Sequence, residues 1–158
     1  MKRQSPGIAG LIDHTFLKPA GDRNAVRRLC AEAKRAHFAS VCINPCEVAF
    51  CARALRGSGV KVCTVIGFPL GQCTLRATCF EALDAIQAGA DELDLVVNQR
   101  LLKYSPGACE ADLQQWVCTC RTLRSDLVLK LILECCNLTR ADPSPTPGAC
   151  SNSCPSNQ

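Results

Sequence analysis

The chain has 158 residues, of which 47% are hydrophobic and 20% are charged, and its net charge is +4 at pH 7. This length and composition fit one globular domain with a hydrophobic core. The charge is mild, and few aromatic residues accompany the densest basic group, so we expect the solvated face of a helix and no nucleic-acid partner. That group is Arg23, Arg27, Arg28, Lys34 and Arg35.

The first part of the chain alternates strand-like and helix-like segments. Residues 10–17, GLIDHTFL, form a short apolar run. A helix is predicted over residues 21–37, because apolar residues recur there at helical spacing: Val26, Leu29, Cys30 and Ala33. Residues 39–44, ASVCIN, predict a second strand, and Pro45 fits the first turn of a helix that ends at a glycine-rich stop.

The same alternation continues to residue 134. Residues 60–68, VKVCTVIGF, predict a third strand, and residues 74–88 predict a helix whose inward side chains are Leu75, Cys79, Leu83 and Ile86. The fourth strand, DELDLVVN, precedes a longer connection and a helix with an apolar face of Leu113, Trp116, Val117, Cys120 and Leu123. Residues 127–134, LVLKLILE, predict the fifth strand. Five β-then-α repeats with apolar strands indicate a parallel sheet covered by helices.

The pattern stops after Glu134. Residues 141–158, ADPSPTPGACSNSCPSNQ, have no apolar period and are rich in Pro, Ser, Asn and Cys. We predict a folded domain over residues 1–140 and a disordered tail over residues 141–158. A metal-binding loop around Cys150 and Cys154 is the alternative for the tail.

The fourteen cysteines would suggest disulfides in a secreted chain. However, the N-terminal sequence lacks the apolar region and cleavage site of a signal peptide, and no stretch reaches the length of a membrane span. We therefore expect a cytoplasmic chain without a membrane partner, and small reduced thiols at the core positions Cys30, Cys63, Cys79 and Cys120. Neither Cys118-x-Cys120 nor Cys42-x-x-x-Cys46 has a matching second pair, so we predict no metal and no cofactor.

Charged residues interrupt the fourth and fifth strands. Alternate side chains of a strand share a face, which places Asp94 and Lys130 together on the side away from the helices. On the first two strands, Asp13 shares a face with Thr15 and Cys42 with Asn44. In a barrel such a face is the lumen, where active sites form, so the pattern favours a (β/α) barrel over a doubly wound sheet. A buried Asp94–Lys130 ion pair without chemistry is the alternative.

Five segments resemble bacterial-type deoxyribose-phosphate aldolase in their order and spacing. They are IDHTFLKP, VCINP, VIGFPLG, GADELDLVVN and LKLILE, and the resemblance runs from about residue 8 to about residue 139. It implies a partial TIM (β/α)8-type barrel with about five of eight β/α units. It also implies class I aldolase activity: a lysine Schiff base, without a metal, reversibly cleaves 2-deoxyribose 5-phosphate to acetaldehyde and glyceraldehyde 3-phosphate.

The resemblance also suggests roles for individual residues. By it, Asp94 is the carboxylate that works with water in proton transfer, and Lys130 is a lumen lysine close to the reaction centre. Cys42 matches a cysteine that lines the substrate pocket, and Asp13 an acidic residue of the first strand. We therefore expect Asp94 and Lys130 to be catalytic, and Cys42 and Asp13 to contact a small phosphorylated sugar or aldehyde.

The sequence departs from the family after the fifth strand. The Schiff-base lysine of the family lies in a segment like KTSTGF, a second catalytic lysine lies in one like KASGGI, and neither segment occurs in this chain. The sequence is therefore interpreted as a truncated aldolase without activity in isolation. The alternative hypothesis is a non-catalytic partial barrel that associates with itself or another chain through open sheet edges.

Overall fold

The structure is a computed structural model that describes residues 7–140, 142 and 143. Five parallel strands form one sheet in the order β1-β2-β3-β4-β5. Their bounds are Asp13–Phe16 for β1, Ser40–Ile43 for β2, Lys61–Ile66 for β3, Glu92–Val96 for β4 and Val128–Ile132 for β5. All five predicted strands are thus present, and the predicted parallel sheet is confirmed.

Five α-helices connect the strands. They are Arg23–Ala36 (α1), Val48–Ala54 (α2), Leu75–Ala88 (α3), Gln99–Tyr104 (α4) and Pro106–Leu123 (α5). Short 3-10 helices span Ile8–Leu11, Pro45–Glu47 and Cys135–Asn137. Each helix in the described part of the chain is too short or too polar to cross a lipid bilayer.

Helix α1 follows its sequence pattern closely. Asp22 caps its start, because its carboxylate accepts the backbone N–H of Ala25 at 2.7 Å. The helix ends at His37, which adopts a left-handed conformation and donates its backbone N–H to the carbonyl oxygen of Ala33. The four residues of the predicted apolar face are the buried ones, and the five basic residues of the predicted solvated face are exposed.

Two details of the helices differ from the prediction. The buried residues of α3 are the small side chains Thr78, Ala82 and Ala85, whereas the predicted inward residues Leu75, Cys79, Leu83 and Ile86 are only partly buried. Small residues permit close approach of the helix to its neighbours, and the larger side chains flank the contact.

Helix α4 was not predicted, because six residues are too few for an apolar period. Its start is fixed by Asn98, whose side chain accepts the N–H of Leu101.

The two faces of the sheet pack differently. Alternate side chains Leu93, Leu95, Leu129 and Leu131 belong to the main core under the helices, in which Trp116 is the largest fully buried side chain. The opposite face carries a small apolar cluster of Cys42, Cys63 and Val65, with Leu17 and Ile132 packed against it. The alternation predicted from the sequence is confirmed on β4 and β5.

The sheet is strongly curled. Strands β1 and β5 are its two edges among the described residues and are separated by three other strands. In a flat sheet they would lie about 19 Å apart. Nevertheless, Nζ of Lys130 on β5 lies 2.8 Å from Oδ2 of Asp13 on β1. The sheet therefore bends into an arc, and we call its inner side, which carries Asp13, Cys42, Cys63, Asp94 and Lys130, the concave face.

The predicted domain boundary stays a prediction. The segment predicted as a disordered tail, residues 141–158, lies outside the described residues apart from 142 and 143. The alternative metal loop around Cys150 and Cys154 falls in that same part of the chain.

The expected thiols Cys30, Cys63, Cys79 and Cys120 are free cysteines, and all but the half-buried Cys79 are buried.

Candidate active site on the concave face

Three carboxylates surround one ammonium group on the concave face. Nζ of Lys130 lies 2.8 Å from Oδ2 of Asp13, 3.1 Å from Oε2 of Glu92 and 3.1 Å from Oδ1 of Asp94. We call these four residues the charge cluster. Their backbones belong to β1, β4 and β5, so the curl of the sheet is what brings them together.

Asp13 is held from two sides. Its Oδ2 accepts a hydrogen bond from Lys130, and its Oδ1 accepts one from the Ser40 hydroxyl at 2.7 Å. Burial raises the pKa of Asp13, but the hydrogen bonds from Lys130 and Ser40 outweigh burial and leave that pKa below its ordinary value. Asp13 is therefore a carboxylate anion at neutral pH.

Lys130 is held as an ammonium ion. Burial lowers the pKa of its amine, but the hydrogen bond to Asp13 and the negative charge of Asp94 outweigh burial, so the pKa lies above its ordinary value. An amine adds to a carbonyl carbon only in its neutral form. In this arrangement Lys130 is therefore a fixed positive charge that can stabilise a developing oxyanion, and a poor nucleophile.

The two carboxylates of β4 are less exposed than Asp13. The side chains of Glu92 and Asp94 are 13% and 16% exposed, against 38% for Asp13. Asp94 lies in the middle of an apolar strand, and the ammonium of Lys130 compensates the cost of burying its charge. A carboxylate in this position can exchange a proton with a water molecule or a substrate hydroxyl on the concave face.

Two thiols lie beside the charge cluster. Cys42 on β2 and Cys63 on β3 are directly paired across neighbouring strands, and both are buried. Sγ of Cys63 also lies 3.6 Å from Nζ of Lys130. A group of three side chains, Cys42, Cys63 and Asp94, has its sulfur and carboxylate ligand atoms within 4.8 Å of one another.

The four residues expected from the sequence lie close together. Asp13, Asp94 and Lys130 are in direct contact through the lysine, and Cys42 lies beside Asp94. Their roles in substrate binding and catalysis stay predictions. His14, next to Asp13, points away from this group and contacts Glu32 on α1 at 2.9 Å through Nε2.

Sequence reasoning missed three members of this arrangement. Glu92 shares its strand face with Asp94, so the period of two could have identified it. The sequence identifies Cys63 only as a core thiol, because its pairing with Cys42 depends on the strand register. Ser40 could not have been connected with Asp13 from the sequence, since 27 positions separate them and their contact depends on the pairing of β1 with β2.

Curated relatives of this chain are deoxyribose-phosphate aldolases. Over 133 residues it is 47% identical to that of Bacteroides thetaiotaomicron, a match that covers 84% of this chain and 55% of the relative. It is 46% identical, also over 133 residues, to that of Thermoanaerobacter pseudethanolicus and covers 59% of it. The chain thus spans less than two thirds of the length of these relatives. No protein-family model matches it.

Solved structures show the same resemblance. The tetrameric deoxyribose phosphate aldolase of Aeropyrum pernix superposes with a TM-score of 0.76 at 33% sequence identity. That superposition covers 84% of this chain and 54% of the Aeropyrum chain. The curled five-stranded sheet therefore corresponds to about half of an aldolase barrel.

Proposed function

We propose, from the premise that the matched part of this chain belongs to the deoxyribose-phosphate aldolase family, that its concave face supplies the proton-transfer part of an aldolase site. The observation that carries this proposal is the convergence of Asp13, Glu92 and Asp94 on the ammonium of Lys130. The reaction is the reversible cleavage of 2-deoxy-D-ribose 5-phosphate to acetaldehyde and D-glyceraldehyde 3-phosphate.

Asp94 has the central role in this proposal. Cleavage of the carbon–carbon bond requires a proton to leave the substrate hydroxyl that becomes the aldehyde oxygen of glyceraldehyde 3-phosphate. A carboxylate next to a fixed ammonium can accept that proton through a water molecule and return it in the reverse direction. Lys130 holds Asp94 in place and stabilises negative charge on oxygen as it develops.

The lysine that forms the imine is not assigned to this chain. Carboxylate oxygens lie 2.8, 3.1 and 3.1 Å from Nζ of Lys130 and keep this amine protonated. In the family that this chain resembles, the Schiff-base lysine lies in a segment like KTSTGF, and that segment does not occur in this sequence. We therefore propose that the 158-residue chain alone does not turn over 2-deoxyribose 5-phosphate.

A chimera tests the proposal. The matched segment of the Thermoanaerobacter pseudethanolicus aldolase is replaced by that of this chain, so that the remaining strands come from the relative. We expect this chimera to cleave 2-deoxyribose 5-phosphate, and Asp94→Asn to lower its kcat by about 10²- to 10⁴-fold. Asp84→Asn, which changes an exposed carboxylate on α3, is the matched control and should leave kcat unchanged.

Two results would contradict the proposal. One is a folded chimera in which Asp94→Asn retains full turnover, since proton transfer would then not depend on that carboxylate. The other concerns the isolated chain, incubated with acetaldehyde and borohydride and mapped by mass spectrometry. A reduced adduct on Lys130 would show that this lysine forms the imine itself.

Self-association is the second candidate function. It is favoured by the two edge strands, β1 and β5, and by Val128 at the start of β5, whose exposed fraction is 46%. Unpaired strand edges are surfaces that pair with other chains. Sedimentation velocity of the purified chain distinguishes a monomer from an assembly that depends on concentration.

A further inference from the structure

We propose that Cys42, Cys63 and Asp94 form a binding site for a thiophilic divalent cation of the Zn²⁺ class. The two sulfur atoms and a carboxylate oxygen lie within 4.8 Å of one another. Cysteine sulfur and carboxylate oxygen are ligands that zinc binds in proteins. The aldol chemistry proposed above uses no metal. The zinc site shares Asp94 with that chemistry but is argued from the two thiols beside it, and zinc bound there would withdraw Asp94 from proton transfer.

Three neighbouring strands supply one ligand each. Cys42 and Cys63 are directly paired residues of β2 and β3, and Asp94 on β4 pairs with Val65, two residues beyond Cys63 on β3. With zinc–sulfur bonds of about 2.3 Å, a tetrahedral site places its two sulfur atoms about 3.8 Å apart. Atoms up to 4.8 Å apart need to approach by about 1 Å, which rotation of side chains on fixed strands can supply.

The carboxylate of Asp94 is available as a ligand. Its Oδ1 is buried beside the ammonium of Lys130, which also contacts Asp13 and Glu92. The ammonium of Lys130 lies 3.1 Å away as an ion-pair partner. A carboxylate oxygen has about two lone pairs, so Oδ1 can bind a cation with one of them while the other faces Lys130. The two thiols are buried as well, Cys63 completely and Cys42 with 4% exposure.

The charges of the site permit metal binding beside Lys130. Binding replaces two thiol protons, which pass to solvent, by one divalent cation, so the net charge of the concave face does not change. Lys130 does not have to leave, because Asp13 at 2.8 Å and Glu92 at 3.1 Å remain as its partners. Three protein ligands leave the fourth tetrahedral position of the metal for water.

Equilibrium dialysis of the full chain against Zn²⁺, under reducing conditions and with a competing chelator, tests the site. We expect Cys42→Ser and Cys63→Ser each to lose one bound Zn²⁺ per chain. The matched control is Cys30→Ser, because Cys30 and Cys51 form another buried thiol pair, with sulfur atoms 3.7 Å apart. That pair belongs to no three-ligand group among the described residues, so the control should retain the full zinc content.

Two further measurements do not require loss of a core thiol. Asp94→Asn should weaken zinc binding by about tenfold or more with both thiols intact. Zn²⁺ should also slow alkylation of Cys42 and Cys63, as mapped by mass spectrometry, relative to the exposed Cys135 and Cys136. Unchanged zinc affinity in Asp94→Asn, or protection confined to the exposed cysteines, would overturn the proposal.

Discussion

Asp13 on β1 contacts both the neighbouring strand β2 and the opposite edge strand β5. Its carboxylate accepts hydrogen bonds from Ser40 on the neighbouring strand and from Lys130 across the concave face. These contacts lower its pKa in the folded chain, although burial opposes them. The stabilisation they provide is fully present above the ordinary aspartate pKa of 3.8 and is lost as the pH falls through the lowered value.

Asp13→Asn should therefore reduce stability most at neutral pH. The difference in the free energy of unfolding between the parent chain and the variant is expected to shrink as the pH falls below about 4. Urea unfolding at a series of pH values measures it, with the exposed Asp84→Asn as control. A difference that stayed constant from pH 7 to pH 3 would show that the charge of Asp13 does not stabilise the folded state.

The site residues differ in how far the sequence could predict them. Asp94 and Lys130 stand out because each places a charge inside an apolar strand. Glu92 and Cys63 do not stand out, since a carboxylate near a strand start and a cysteine in a core strand are ordinary. Their role depends on what lies opposite them, and strand register and curl decide that.

At the scale of an element, the connection between β3 and α3 depends on Gly71. This residue has a φ of +63°, and a Cβ there would lie 2.6 Å from the carbonyl oxygen of Val97 and 3.0 Å from that of Val96. Those oxygens belong to the main chain at the end of β4 and cannot rotate away. Gly57 has a similar φ of +76°, but a Cβ there would point into open space, with no contact within 4 Å.

Alanine substitutions at these two glycines therefore distinguish the cost of backbone strain from the cost of steric overlap. Gly57→Ala should cost about 1–2 kcal/mol in the free energy of unfolding, because alanine is strained at positive φ. Gly71→Ala should cost about 1–3 kcal/mol more, because it adds the overlap with β4. Thermal and urea unfolding of both variants measure these costs. Equal destabilisation of the two variants would mean that the close approach at Gly71 does not exist.

Helices illustrate where the sequence pattern succeeds and where it does not. Helix α1 has a capping aspartate, a regular apolar face and a charged face, so its bounds and its buried side are both predictable. Helix α3 has apolar residues on more than one side, and its buried residues are small ones, Ala82 and Ala85 among them. A pattern that counts only hydrophobicity cannot choose between those sides.

The property of the whole molecule that matters for the site is the curl of the sheet. The alternation of side chains predicts which residues share a face, and the repeats predict parallel strands. The distance between the first and fifth strands does not follow from either, because it accumulates from small twists and bends over four strand pairs. The contact between Asp13 and Lys130 is the clearest evidence of this curl.

A double-mutant cycle on Asp13 and Lys130 tests the central claim most directly. The free energy of unfolding at neutral pH is measured for the parent chain, Asp13→Asn, Lys130→Met and the double variant. Side chains in contact are not additive, so we expect a coupling energy of at least about 0.5 kcal/mol between these two residues of opposite sheet edges. Additive effects would mean that the two side chains do not interact in the folded chain, which would contradict the contact across the concave face on which the charge cluster depends.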